Sequence, residues 1–541
     1  MTATVSPARG RTGSRPAGSH LTGTGAMVRL ALRRDRIKLT IWLVAITVMV
    51  PRFYNAAVSA VVPTPEALAE ASQMIRVSFM RVLGGPLVGD VTTQSYFLAA
   101  YWVEFLLAAA IMNMMLITRH TRAEEQTGRA ELIRAAVVGR HAQLTGALIT
   151  ALISNAALAV LTTAATISIG FPIGSALLFG ASLAAVGLVF AGVTAVAVQV
   201  TEHPRGANGL AGIALFTVWL LRGAGALQSQ EGGPLFWLSP IGWSQQTRVL
   251  ADERWWPLGL SLLLAGLLVV GAYSLSSRRD LGASLMAPRP GRASAPSWLR
   301  TPFALALRLQ QGAIAGWGAA FLAIGLVLGA MTGGMEQTDL PIFSADADFG
   351  RAWISLMVFT GSLYTGVFAV LSVIRLRAEE VGGRVGPVLA GPTGRATWYW
   401  SSLLVTALAV VVLPAVYGGA LGIGAALSTG DTGLVGEVFW ASLIRAPEVL
   451  VLLAIPAALL GLAPRAMAAA WAVLVYSGFV QVLGSYMNMP EWVVNTSVLS
   501  HLPWHPLGSF APVATVVLTA IAAVLTILGL YGLRRRDLAS G

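Results

Sequence analysis

The chain has 541 residues, 56% of them hydrophobic and only 11% charged, with a mean hydropathy of +0.72, against about 25% charge in a soluble domain, so a water-soluble globular class is excluded. The net charge of +12 comes from arginines gathered at the ends of apolar segments, which is the bias of membrane loops and not a basic face for nucleic acid. There is no cysteine, so disulfides and thiolate chemistry are excluded, and the single lysine, Lys38, is not in a Gly-x-x-x-x-Gly-Lys-Ser/Thr loop, so any ATP must be bound by another chain.

In chain order, residues 1–27 are rich in Gly, Ser, Thr, Pro and Arg with no apolar run and are expected to be a disordered cytoplasmic tail. Arg29 to Lys38 mixes cations with apolar residues, which predicts a short helix lying at the membrane interface. Windows of about 20 apolar residues then predict spans near 39–57, 96–117, 144–169, 176–200, 207–227 and 258–275, and again near 313–331, 353–374, 398–427, 443–462, 467–483 and 512–533. The expectation is an all-α membrane protein of about twelve spans in two sixes. The domains would be residues 28–281 and 303–541, with a Pro/Arg-rich cytoplasmic linker over 282–302.

Alternate loops carry arginine, as at Arg33 to Arg36, Arg119 to Arg140, Arg278 to Arg300, Arg375 to Arg395 and Arg534 to Arg536. By the positive-inside bias both termini are expected in the cytoplasm. With an even number of spans per half, the two halves would enter the membrane in the same direction.

The strongest pattern is a repeat. RAEEQTGRAELIRAAVVGR, Arg122 to Arg140, returns 255 residues later as RAEEVGGRVGPVLAGPTGR, Arg377 to Arg395. Each copy is a charged island between two apolar segments. Glu124 and Glu125 precede a run of helix formers, where carboxylates suit the positive helix end; Gly128 permits a sharp entry; Arg129 and Arg140 are left to face cytoplasm or a partner. The second copy puts Gly386-Pro387 where the first has Glu131-Leu132, which starts or breaks a helix there. Two smaller echoes support the duplication: Tyr273-x-Leu275 with Arg278-Arg279-Asp280-Leu281 against Tyr531-x-Leu533 with Arg535-Arg536-Asp537-Leu538, and Leu238-Ser239-Pro240-x-x-Trp243 against Leu499-Ser500-x-x-x-Trp504.

Neither a nucleophile with its base nor a metal-binding spacing is present; the one close histidine pair, His501 and His505, is split by Pro503. The chain is therefore expected not to be an enzyme and to hold no cofactor or metal of its own. Three ionisable residues in or at the start of apolar segments are singled out: Glu104 in the second, and Arg445 and Glu448, three apart, at the tenth. They are candidates for a substrate path because charge is costly in lipid. The competing expectation is that all three lie near the outer interface and snorkel to water. Gly418-x-x-x-Gly422 is expected to allow close helix packing.

Taken together, the two islands, the outer LSPIGW segment and the terminal RRDL of each half resemble the fused permeases of the ABC-2 superfamily, specifically the tetronasin-type exporters of polyketide antibiotics. The resemblance covers the chain after the tail. It implies a bacterial plasma-membrane permease that exports amphipathic, antibiotic-like molecules. Two copies of a cytosolic ABC ATPase, which would hold ATP and magnesium, would dock one under each half. By matching residue, coupling would fall on Glu124, Glu125, Gly128, Arg129 and Arg140, and on Glu379, Glu380, Gly383, Arg384 and Arg395. The alternative is a proton-coupled secondary multidrug transporter, which also has six plus six spans; its expected Asp-Arg-x-Gly-Arg-Arg loop is absent here, and Glu104 or Glu448 would have to carry the proton.

Overall fold

The computed structural model describes residues 20–60, 62–76, 78–127, 138–229, 231–278, 294–333, 349–483, 489–503 and 510–537. Among them all regular structure is helical, because a chain in lipid must satisfy its backbone within each segment. Two compact units divide between Gly291 and Arg292, within the stretch read as a linker, where residues 282–293 lie outside the described set.

The first unit opens with α1 (Thr24–Ala60). Here the sequence reading needs correction: Arg29 to Lys38 is not a separate interfacial helix but the start of α1. No Gly or Pro interrupts residues 26 to 50, so nothing stops the helix from running on into the first span. At about 1.5 Å per residue its 37 residues exceed the roughly 30 Å bilayer core, so its basic end projects beyond it. Order also begins earlier than the expected tail boundary at Met27: the Gly139 and His141 amides donate to the carbonyls of Thr22 and His20.

Short helices α2 (Pro65–Arg76) and α3 (Ser78–Leu83) lead to α4 (Thr93–His120), whose start is fixed by reciprocal Thr92 and Ser95 capping bonds. Then follow α5 (Arg122–Gln126), α6 (Ala142–Ser168), α7 (Ile173–Val200), α8 (Pro204–Gln228), the short α9 (Pro240–Gln245) and α10 (Trp256–Ser277). α7 is apolar on every side and is the hub, packed by α4, α6, α8 and α10 around Phe97, Leu106, Phe179 and Phe190. One polar pair is sealed into this core: Asn155 donates to Asn113 Oδ1 at 2.7 Å, and Asn113 donates back at 3.1 Å.

The second unit comprises α11 (Pro302–Ala330), α12 (Phe349–Val381), the single turn α13 (Gly386–Leu389), α14 (Arg395–Thr429), α15 (Gly433–Ile444), α16 (Ala446–Leu462), α17 (Ala469–Leu483), the short α18 (Glu491–Val494) and α19 (Pro512–Arg535). Its closest helix pairs are α11 with α14, and α16 with α19. Gly418 and Gly422 seat α14 on α15: a Cβ there would come within 2.9 Å of the Val438 carbonyl and 2.8 Å of the Val435 Cα, so a larger residue would push the helices apart.

Eleven described helices are long and apolar enough to span a membrane, and the chain is a multi-pass membrane protein. The eleventh expected span, near 467–483, is α17. At 15 residues it extends about 22 Å, short of the hydrocarbon core; Pro464 breaks the chain before it, and the described residues stop at its end. The tenth is longer than expected, Gly433–Leu462, with a break at Arg445 just ahead of Pro447, whose missing N–H cannot continue α15.

Candidate functional site

In the first unit the island sits where α1, α4, α6, α7 and α10 meet. Arg122 is 1% exposed. Its Nε donates to the Val198 carbonyl at 2.6 Å and Nη1 meets Glu125 at 2.7 Å, so it satisfies an end carbonyl of α7 while neutralising its own helix turn. Glu124 is buried and paired with Arg34 of α1. Asp35, one residue on, meets Arg119 at 2.8 Å and His120 Nε2 at 2.6 Å. From α6, the Gln143 amide donates to the carbonyls of His120 and Thr121, both at 3.2 Å, closing the end of α4. Arg140 donates to the Ser276 and Ser277 carbonyls at 3.2 and 2.9 Å, closing the end of α10. Gly128, Arg129 and the helical run expected after them lie outside the described residues.

The second island repeats part of this. Arg377 and Glu380 form the same i,i+3 pair as Arg122 and Glu125, at 3.0 Å. Arg395 donates to the Leu533 and Arg536 carbonyls at 3.3 and 2.7 Å, closing α19 just as Arg140 closes α10. The rest differs. No break separates the island acids from their span, since α12 runs unbroken to Val381. Glu380, 2% exposed, receives both Nη groups of Arg536 at 2.6 and 2.7 Å, a bidentate pair. Glu379 pairs with Arg375 one turn back, at 3.3 Å. Gly383 ends the helix at φ +68, a left-handed position where glycine is unstrained, and it leaves Arg384, Gly386 and Pro387 exposed.

The island acids are therefore anchors. Of the residues expected to couple, Glu124, Arg140, Glu380 and Arg395 join one helix to another, Glu125 and Glu379 pair within their own helices, and Gly383 and Arg384 lie on the surface.

The intramembrane candidates separate into two kinds. Glu104 is exposed midway along α4. Arg445 and Glu448, 1% and 0% exposed, do not snorkel. They pair at 2.7 Å, Arg445 donates to the Leu499 and Pro503 carbonyls at 3.1 and 3.3 Å under the Phe359 ring, and Glu448 accepts from the Leu502 amide at 3.0 Å. Together they staple the 498–503 segment to the break between α15 and α16. His505 lies outside the described residues.

The sequence reading missed Arg222, which is fully buried in α8. It donates to the Val82 carbonyl, to the Leu83 carbonyl at 3.1 Å and to Gln245 Oε1 at 3.2 Å, tying α3 and α9 to its own helix. The signal was available: a lone cation inside an apolar run. In each unit a buried arginine thus braces the segment that carries the Leu-Ser pair, Arg222 from α8 in the first and Arg445 from the α15–α16 break in the second.

The family model described as "Multidrug efflux system permease Rv1217c, C-terminal domain" matches residues 25–275 and 299–534. Over 531 residues, 96% of each chain, the sequence is 36% identical to the multidrug efflux system permease protein Rv1217c of Mycobacterium tuberculosis (strain ATCC 25618 / H37Rv). With match and identity covering both units, this multi-pass plasma-membrane protein belongs to the family of the multidrug efflux system permease Rv1217c.

Proposed function

We propose that the chain is the permease of an ATP-driven exporter of amphipathic, drug-like molecules, built on the fused ABC-2 plan of the tetronasin-type exporters, with one soluble ABC ATPase beneath each island and ATP and magnesium bound by that partner. The relative's name supports efflux of drugs. The missing phosphate loop fits a scheme in which a partner chain binds the nucleotide. The observation that carries the reading is the wiring of the islands. Arg34 with Glu124, Arg122 with Val198 and Arg140 with Ser277 join the first island to α1, α7 and α10. Arg536 with Glu380 joins the second to α19. A push on either island would therefore move several membrane helices together.

Coupling contacts then fall on the exposed residues, Arg384 and Pro387 foremost. Because the chain has no cysteine, Pro387→Cys gives one reactive thiol. Its crosslinking to a co-expressed ATPase is the expected result. No crosslink, with the ATPase present and export intact, would remove the docking role. Reversing Glu124 and Glu379 to Lys together should lower efflux. Adding Arg34→Glu to that pair should restore the first-unit anchor, which separates anchoring from docking.

Glu104, exposed within a span, favours a second reading in which export is proton-coupled. Glu448 does not serve it, being committed to Arg445 and Leu502. Efflux that survives collapse of the proton gradient and stops on ATP depletion would decide for the first reading.

A further inference from the structure

Each unit has a cavity beside its island, and the two are lined by corresponding residues. Leu30-Ala31-Leu32-Arg33 recurs as Leu305-Ala306-Leu307-Arg308, which aligns α1 with α11 at 275 residues, while the islands align at 255. In the first unit, Leu30 and Arg34 of α1 face His120, Glu124 and Gln143 across a void of about 30 Å³. Their counterparts Leu305, Leu309, Arg375, Glu379 and Trp398 line a groove of about 510 Å³. The first holds about one water. The second lies in the range of ligand sites, roughly 300–1,000 Å³.

The substitutions explain the difference. Arg34 reaches Glu124 and shuts the first cavity, and Met27 closes on Gly146, where a Cβ would lie 2.8 Å from its own. In the second unit Leu309 and Ser401 stand at those places, so no cation crosses to Glu379, which turns back to Arg375. The open groove is lined by three guanidinium groups, Arg300, Arg375 and Arg384, and one carboxylate. Arg300 and Arg384 are exposed and have no carboxylate partner among the described residues. Leu305, Leu309, Val388 and Trp398 supply apolar wall.

Surplus cations beside an apolar wall, at the ends of membrane-spanning helices, fit an amphiphile with an anionic head. We propose that the second unit binds one anionic glycerophospholipid, its phosphate among Arg300, Arg375 and Arg384 and its chains along Leu305, Leu309 and Trp398, whereas the first unit's copy of the site is sealed by Arg34 and Glu124. The site stands on the groove alone and is independent of the transport reading.

The test is native mass spectrometry of the full chain in detergent after exchange with vesicles of phosphatidylglycerol or of phosphatidylcholine. The wild type should retain one phosphatidylglycerol and no phosphatidylcholine. Arg300→Ala with Arg384→Ala should weaken retention, by roughly fivefold per arginine. Leu309→Arg should abolish it by giving Glu379 the cation that Glu124 has. Unchanged thermal midpoints show that each variant is folded. Equal retention in wild type, the double variant and Leu309→Arg would overturn the proposal. So would equal retention of phosphatidylcholine, or displacement by millimolar inorganic phosphate, which would mark a simple anion site.

Discussion

The two islands share their Arg-Ala-Glu-Glu start and closing Gly-Arg yet are fastened from opposite ends of the chain. In the first unit the cations and acids of α1, Arg34 and Asp35, reach forward to Glu124, Arg119 and His120. In the second, α11 offers Leu309 and Gln310 at those positions; Gln310 bonds instead to the Ser402 carbonyl and Thr406 hydroxyl of α14. There the anchor comes from Arg536, past the last helix. What the copies share is the inner pair, Arg122 with Glu125 and Arg377 with Glu380, and the closing arginine, Arg140 or Arg395. A duplicated motif thus keeps its local geometry, set by i,i+3 spacing, while its long-range partners are free to diverge.

If the second unit depends more heavily on buried charge, removing single charged groups should rank accordingly. Glu448→Ala should cost most, about 3–5 kcal/mol, because Arg445 would be left charged inside the membrane without its partner; denaturant unfolding of the detergent-solubilised chain measures it. Glu380→Gln comes next, at about 1.5–3 kcal/mol, since it weakens charge-assisted bonds to Arg536 and Arg377. Arg34→Leu should cost about 0.5–1 kcal/mol, discounted because Arg34 is a third exposed. An Arg34→Leu loss as large as that for Glu380→Gln would show that the first island is fastened as firmly as the second, and the comparison would fail.

Much of the fold was legible because apolar run length and the Pro and Gly breaks are local signals. They gave the span order; they misjudged the start of the tenth span, which begins ahead of the break at Arg445, the length of the helix near 467–483, and the uninterrupted residues 26–50, which merge an expected surface helix into α1. The islands were legible as a repeat. Their anchoring was not, because Arg34 lies 90 residues from Glu124 and Arg536 lies 156 from Glu380, and no spacing rule connects residues that far apart. The same blindness applies to Arg445, whose partners at 499 and 503 belong to a distant segment. Glycine pairs fared better: Gly418 and Gly422, read as a packing site, seat α14 on α15.

In the proposed exporter both islands, differently fastened, receive work from separate nucleotide-hydrolysing subunits. The most direct measurement is the mass of the complex extracted intact from membranes together with its co-expressed ATPase. Two ATPase copies per chain, falling to one when Pro387 and Arg384 of the second island are replaced by Asp and Glu, is the predicted result. A chain that carries no soluble subunit, and still exports drug when ATP is exhausted, would contradict it.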